Sequence, residues 1–381
     1  MLKRLKDRYE RRNPVALVWM AFSDALGWVA AKLWPVNRAS KSCVIRKVLL
    51  VNPAHLGDVV ISTAAIRRLK EANPEIHIGF VAGSWAKVVL EQHPGVDQAY
   101  VVDHWKLNRS NQPKIRKIWR YAQTWLKARR MIKDVGYDAG ILLNSYAPNF
   151  ASLLWFSRIP VRAGFVSAGL STLLTDVLPK PLSIESEQAI QLKLLDRVGF
   201  CGTSRGWLEV PQGARLPLLL SDAPQAYAVL HPGTGNPAKS WLLDQWVMLA
   251  QDFLAKNVQV VITGYGTAER QIAAEIEGQA DCINMVGQLT WEEWLLTLSK
   301  ASLVVGLDSA VGHICAALGR PFVGIYSGVG VVSRWEPQGL HIKVLTRSVP
   351  CSPCHTRPCR ERPCITTITA TDVALASGQF L

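Results

Sequence analysis

Two loops, far apart in the chain, hold the residue types that could do chemistry. The first is His55-Leu56-Gly57-Asp58 and the second is His231-Pro232-Gly233-Thr234-Gly235-Asn236-Pro237-Ala238-Lys239; each follows a short apolar run and precedes a segment with helical spacing. A strand-to-helix turn of this kind brings backbone N–H groups and the positive end of a helix to one point, which suits an anion. Thr234 and Lys239, beside Gly235, add a hydroxyl and a cation, the complement of a diphosphate. Gly57 is followed instead by an acid, and a carboxylate such as Asp58 at a helix N-terminus in a cleft is a candidate general base. One half is fitted to hold a leaving phosphate, the other to activate a nucleophile.

Further candidates stand where later strands should end. Asp308-Ser309-Ala310-Val311-Gly312-His313 offers a helix cap in Asp308, a hydroxyl and backbone N–H groups at Ser309, and His313 one turn on. His313 taken alone reads more simply as a packed helix residue. Glu269 could accept two ribose hydroxyls, or merely stabilise the first turn of its helix. Neither Gly-x-Gly-x-x-Gly after the first strand nor a Walker loop occurs, and Asp-x-Asp is absent, so nicotinamide chemistry is the least favoured class. A diphosphate would then be neutralised by Lys239, Thr234 and helix ends, with no cofactor for catalysis.

The elements that must position these groups alternate. Strands are expected at 47–52, 76–82, 99–103 and 139–143, with helices at 59–69, 86–92, 149–157 and 186–199. A second series places strands at 226–230, 258–263, 282–286, 303–307 and 321–326, between helices at 242–256, 267–277, 290–301 and 309–318. Such alternation predicts an α/β protein with parallel sheets covered on both faces and ligands beyond the carboxyl ends of the strands. The chain of 381 residues suits two domains. The expected division is an extension over 1–45, a first domain over 46–200, a connection over 201–225, a second domain over 226–345, and a Cys-rich tail with a terminal helix over 346–381.

The net charge of +14 is uneven: residues 1–200 hold 30 Lys and Arg against 15 Asp and Glu, and the remainder holds 13 against 14. An excess confined to one domain points to an anionic partner that this domain alone meets. Residues 106–133 carry ten basic side chains and no acid, with Trp105, Trp119 and Trp125 interleaved, either a solvated helix face or one turned to phosphates. Residues 3–12 hold six basic side chains, ahead of a mostly apolar run at 15–34 broken by Asp24, Gly27 and Lys32. An internal Asp and Lys make spanning a bilayer costly. A helix lying in the membrane interface is favoured, with Trp19, Trp28 and Trp34 at its boundary; packing against the protein itself is the alternative.

Cys351, Cys354, Cys359 and Cys364 follow C-x2-C-x4-C-x4-C, a spacing that suits four thiolates around one tetrahedral ion. They form a candidate structural zinc or iron site, against reduced thiols that merely pack. The spacing copies a zinc knuckle with Cys359 in place of its His, but without the glycines and aromatic platform that bind RNA, so no nucleic-acid partner is expected. The other four cysteines read as core.

Taken together, Leu56-Gly57-Asp58-Val59, His231-Pro232-Gly233 through Lys239-Ser240-Trp241, and Asp308-Ser309 through His313 with Ala316-Ala317-Leu318-Gly319-Arg320-Pro321 resemble the heptosyltransferase family (glycosyltransferase family 9), bacterial enzymes that use ADP-heptose. The resemblance covers roughly residues 46–375. It implies a GT-B fold, two Rossmann-like domains facing a cleft, and inverting, metal-independent transfer of heptose to an inner-core lipopolysaccharide precursor. The first domain would bind an anionic lipid or glycolipid acceptor and the second ADP-heptose, at the cytoplasmic face of the inner membrane. Asp58 matches the family's proposed base, Thr234 and Lys239 its phosphate contacts, Glu269 its ribose contact, and Asp308, Ser309 and His313 its donor-site turn. Cys-rich tails occur in the family too, associated with iron in a protein-modifying branch. Pro53-Ala54-His55 departs from the small hydroxyl residue often found before Gly57, and the first 45 residues have no place in the pattern. Transfer to a protein or another glycan, and a transferase-like membrane-associated binding protein without turnover, are the competing readings.

Overall fold

The computed structural model describes residues 2–9, 13–36, 44–145, 150–182, 184–221, 226–354 and 359–381. The chain divides into two compact units, Met1–Ser204 and Arg205–Leu381. The first contains α1 (Leu2–Arg8), α2 (Pro14–Leu33), β1 (Lys47–Val51), α3 (Leu56–Ala72), β2 (His77–Ala82), α4 (Val88–Glu91), β3 (Gln98–Val101), α5 (Lys114–Val135), β4 (Ala139–Leu142), α6 (Phe150–Phe156), β5 (Val161–Phe165), β6 (Asp176–Leu178) and α7 (Glu187–Arg197). The second contains α8 (Leu218–Ser221), β7 (Tyr227–His231), α9 (Leu243–Ala255), β8 (Gln259–Ile262), α10 (Thr267–Glu277), β9 (Ile283–Asn284), α11 (Trp291–Lys300), β10 (Leu303–Leu307), α12 (Ala310–Ala317), β11 (Phe322–Tyr326), α13 (Val332–Trp335), β12 (Ile342–Thr346), α14 (Pro363–Thr366) and α15 (Ala370–Ser377).

Each unit is built on one six-stranded parallel sheet. The orders are β3-β2-β1-β4-β5-β6 and β9-β8-β7-β10-β11-β12, so the two sheets share one topology. In both, the first strand of the unit lies at the centre and the chain winds outward first to one side, then to the other. The central strands are apolar throughout, Val48, Leu49, Leu50 and Val51 in β1 and all of β10 being buried, because helices cover both faces of a parallel sheet. Gly79 in β2 is required by packing: a Cβ there would lie 2.0 Å from the Tyr137 hydroxyl, which reaches across the strand to Tyr100.

Three strands escape the sequence pattern, and all lie to one side of their sheet. β5, β6 and β12 pair only outward of the central strands, and β6 and β12 have no fully buried position, so the apolar run that marks a buried strand is missing. Most of the basic run at 106–133 lies on the 22-residue α5, which buries only Ala128 and Ile132 and partly covers Tyr121 and Trp125.

The N-terminal apolar run is helical, as expected, and it packs on the first unit. Leu17, Met20, Ser23, Asp24 and Gly27 form its buried face. The Asp24 carboxylate accepts from the backbone N–H of Ser171 at 2.7 Å, from the Tyr9 hydroxyl at 2.7 Å and from Arg8 at 2.9 Å. At Gly27 a Cβ would come within 2.6 Å of Thr172 Oγ1, so glycine permits the close approach. Asp24 and Gly27, two of the three residues that break the apolar run, are therefore ones by which the helix docks; Lys32, the third, is exposed over the Trp28 ring.

The tail belongs to the core of the second unit. Ile365, Ile368, Ala370 and Val373 pack with Trp241, Trp246 and Phe253, and the Trp241 indole N–H donates to the Ile368 carbonyl at 2.8 Å.

Candidate functional site

In each unit the candidate residues gather where the strand order reverses, beside the first strand of that unit. In the first unit this is the β1–β4 junction. Asn52, directly after β1 and fully buried, donates through Nδ2 to the Asp58 carbonyl at 3.1 Å and to Ser62 Oγ at 2.8 Å, while its Oδ1 accepts from Asn144 at 3.3 Å. Ser62 in turn lies 2.8 Å from Gln191 of α7. This buried amide network holds the turn in which Gly57 and Asp58 open α3. The Asp58 carboxylate accepts from the backbone N–H of His55 at 3.1 Å, which fixes it at the helix N-terminus. Burial and the Arg109 guanidinium depress the protonation of His55, opposed by the charge of Asp58, so Arg109, His55 and Asp58 share one electrostatic neighbourhood. Trp85 stands over it, its ring 6.3 Å from His55 and its N–H bonded to the Ala54 carbonyl at 2.6 Å.

In the second unit the reversal lies between β7 and β10, which pair with His231 opposite Gly306. The loop after β7 turns through Thr234, Gly235 and Asn236, whose side chain accepts from the Ala238 N–H at 3.1 Å and starts the short turn that ends in Lys239. Lys239 Nζ meets Asp308 Oδ2 at 2.6 Å. Asp308 is thus not the helix cap that the sequence led us to expect: Ser309 occupies the N-cap of α12 without a side-chain capping bond, and Asp308 pairs with the lysine presented by the neighbouring strand. The Ser309 hydroxyl is buried and has no partner among the described residues. The first N–H groups of α12 and this hydroxyl make a ready anion cradle. His313, one turn on, is pushed down to about 4 by burial and by the charge of Lys239, which places it in the same cluster.

Glu269 joins the cluster by a steric route. Its side chain runs past three glycines: a Cβ on Gly233 would lie 3.1 Å from Glu269 Cγ and Oε1, one on Gly264 3.0 Å from its Cβ, and one on Gly266 2.6 Å from Oε2. The carboxylate of α10 therefore stands against the 231–239 loop, beyond the end of β8.

The sequence model of glycosyltransferase family 9 (heptosyltransferase) matches residues 125–365, more than half of the chain. The chain belongs to this family. Lipopolysaccharide heptosyltransferase 2 of Salmonella typhimurium is 27% identical over 308 residues, covering 74% of this chain and 82% of its own. Among solved structures, a family 9 glycosyltransferase from Veillonella parvula superimposes with a TM-score of 0.73 at 20% identity, over 90% of this chain and 99% of its own. The E. coli ADP-heptose lps heptosyltransferase II does so with 0.67 at 21%, over 88% and 98%. The expected α/β architecture of the GT-B class, with two Rossmann-like sheets, stands on these likenesses and on the shared strand order.

Several groups around the transferase's second-unit cluster were not singled out from the sequence. His231 ends β7, its Nδ1 3.0 Å from Thr263 Oγ1 and its ring 5.4 Å from Trp294; burial pushes it to about 4. Tyr326 ends β11 with a buried hydroxyl that has no partner among the described residues, and burial and the charge of Asp308 raise its pKa. Position at a strand end was the signal for both, and the rule was applied only to loops with obvious phosphate chemistry.

Cys364 is buried, Cys354 half-buried, and Cys351 and Cys359 exposed. Among the described residues no three His, Cys, Asp or Glu side chains stand together as a metal set. Cys364 faces inward with Ile365 on α14, and the Cys359 sulfur accepts from the Arg362 N–H at 3.3 Å. The Cys354 N–H donates to the Gly328 carbonyl at 3.1 Å, and a Cβ on Gly328 would lie 3.3 Å from Cys364 Cβ. Cys282 and Cys315 are core, as expected; Cys201 is exposed, contrary to expectation, since it lies beyond the end of α7; Cys43 lies outside the described residues.

Proposed function

We propose that this transferase moves heptose from ADP-heptose to an inner-core lipopolysaccharide precursor, with inversion and without a metal, at the cytoplasmic face of the inner membrane. The reading rests chiefly on one observation: Lys239 and Asp308, from adjacent strand ends at the reversal point, meet beside the Ser309 hydroxyl, unpartnered among the described residues, and the N-terminus of α12. That arrangement suits a diphosphate held by a cation, a hydroxyl and a helix end. That the relatives are lipopolysaccharide heptosyltransferases supports the sugar and the acceptor.

In this mechanism Asp58 takes the proton from an acceptor hydroxyl, whose oxygen attacks the anomeric carbon on the face opposite the departing ADP. The C–O bond to the diphosphate breaks as the new glycosidic bond forms. Lys239 and the α12 N–H groups stabilise the charge that gathers on the leaving oxygen. Asp308 orients Lys239, and its remaining acceptor capacity can receive a sugar hydroxyl. Glu269 holds the ribose, and Thr234 and Gly235 complete the phosphate loop.

The test combines ligand binding and turnover. ADP, UDP, GDP and NAD are compared by thermal stabilisation with and without EDTA, for the wild type and Lys239→Ala. Stabilisation selective for ADP, insensitive to EDTA and lost in the variant is expected; a preference for UDP or NAD would overturn the donor. Asp58→Asn should keep the ADP response and lose transfer by about 10²- to 10⁴-fold, the usual range for a general base. Wild-type turnover in that variant would remove Asp58 from the role.

A further inference from the structure

Helix α2 is 20 residues long and apolar enough to cross a bilayer, and it is the one described helix that meets that length and composition. Its Asp24 is nevertheless bound by three residues of the first unit and its Gly27 is pressed against Thr172. The opposite face is a continuous stripe. Val15, Val18, Trp19, Phe22, Leu26, Val29 and Leu33 recur at helical spacing and all are exposed. Trp19 is 62% exposed, its ring tilted against that of Phe22 with centroids 5.9 Å apart.

Helix α5 repeats the design with charge added. Ile115, Ile118, Trp119 and Leu126 fall on one exposed face, and Trp119 is 66% exposed. Arg116, Lys127 and Arg130 are interleaved with them, and the helix has no acid before Asp134. It is held rigidly from behind. The buried Asp103 accepts from Arg120 and the Thr124 hydroxyl accepts from the Asp103 N–H, while Ala128 and Ile132 enter the core. Ala30, Ala31 and Val36 at the end of α2 pack on that same core cluster, as do Tyr121 and Trp125 of α5. The two outward stripes are thus carried on one body by one core.

We propose that the exposed stripes of α2 and α5 together form a docking surface for an anionic lipid bilayer, lying in the headgroup boundary without crossing it. This deepens the membrane location proposed above by naming the surface and its lipid class. Apolar side chains with tryptophans at the stripe, flanked by cations from α1 and α5, match a layer that is apolar inside and negative at its rim. A second copy of the chain fits less well, because a two-fold contact would set the basic side chains of α5 against themselves with no acid to answer them. Spanning is opposed by the bound Asp24, which would have to leave four hydrogen-bonding atoms to enter lipid.

The experiment is flotation of the full chain with vesicles of phosphatidylcholine alone or mixed with phosphatidylglycerol, at low and high salt, together with light scattering of the vesicle-free protein. Two triple variants are compared with wild type, Trp19→Ser/Phe22→Ser/Leu26→Ser and Ile115→Ser/Trp119→Ser/Leu126→Ser, with Lys127→Gln/Arg130→Gln as a charge variant. Wild type should partition onto the anionic vesicles, each triple variant should lose about tenfold or more, and the charge variant should lose binding to anionic vesicles only. All three should keep the wild-type melting profile, since every altered side chain is exposed. The proposal is overturned if wild type does not float, if either triple variant floats like wild type, or if the wild type is a dimer that the variants convert to monomer. The vesicles carry no saccharide, so failure here leaves the transfer reading standing.

Discussion

At the scale of residues, the pairing of Lys239 with Asp308 sets the electrostatics of the cluster at the end of β7 and β10. His313 is held at about 4 by burial and by the neighbouring lysine. Lys239→Met should therefore raise the His313 pKa while leaving the burial effect in place, a shift that NMR titration of the imidazole reads directly. The same substitution strands the Asp308 carboxylate, whose side chain is only 13% exposed, and should destabilise the second unit by about 1–3 kcal/mol, less than a fully buried pair because Lys239 retains some exposure. The pH dependence has a definite sign. His231 and His313 both titrate near 4 when folded, below the ~6.5 of a free imidazole, so the unfolded chain binds more protons between these values. Stability is unaffected by these rings above about pH 7 and falls as pH drops through 6.5 towards 4, by on the order of 2 kcal/mol for each ring at pH 5. A melting midpoint that is flat over this range, measured without ligand, would contradict the burial of both rings.

At the scale of elements, the same residue types meant different things according to what their helix packs against. Asp24 looked like an obstacle to membrane insertion; it is the docking anchor of α2. Asp24→Ala would leave the Ser171 N–H, the Tyr9 hydroxyl and the Arg8 guanidinium without their acceptor, a loss of about 2–4 kcal/mol for a cluster of this burial. Limited proteolysis should then release the N-terminal segment from an otherwise intact chain. Periodicity identified the central strands and most helices because each is buried on a regular face. It missed β6 and β12, where partial exposure leaves no apolar run, and β5, whose buried positions include Arg162 and Gly164. It overestimated the strand at 282–286, of which only Ile283–Asn284 pairs.

At the scale of the molecule, each unit has its own sheet and its own core. The core of the second draws Ile365, Ile368 and Val373 from the tail that the sequence had set apart. Residues 205–381 produced alone should consequently fold and bind ADP while transferring nothing, because Asp58 belongs to the other unit. Calorimetry with ADP checks this, and an unfolded product would show that the two cores depend on one another. Truncation after residue 360, by contrast, should unfold the second unit by exposing the Trp241 and Phe253 side of its core.

The order of strands and helices, the two loops, and the family were legible in the sequence, because local periodicity and short motifs are properties of neighbouring residues. Asp58, Asp308 and Ser309 could be named for the same reason, since each directly follows, or opens, an element that the pattern locates, and Lys239 because it lies in the loop between two such elements. Their partners could not. Asn52 meeting Asn144, Lys239 meeting Asp308, and Glu269 threading past Gly233 all join segments distant in sequence, and only the parallel pairing of central strands brings those ends side by side. The cysteines were legible only as a spacing: that Cys364 packs inward while Cys351 and Cys359 are exposed is a matter of tertiary packing. Sequence determines which groups are available; the register of β1 with β4 and of β7 with β10 determines which of them can act together.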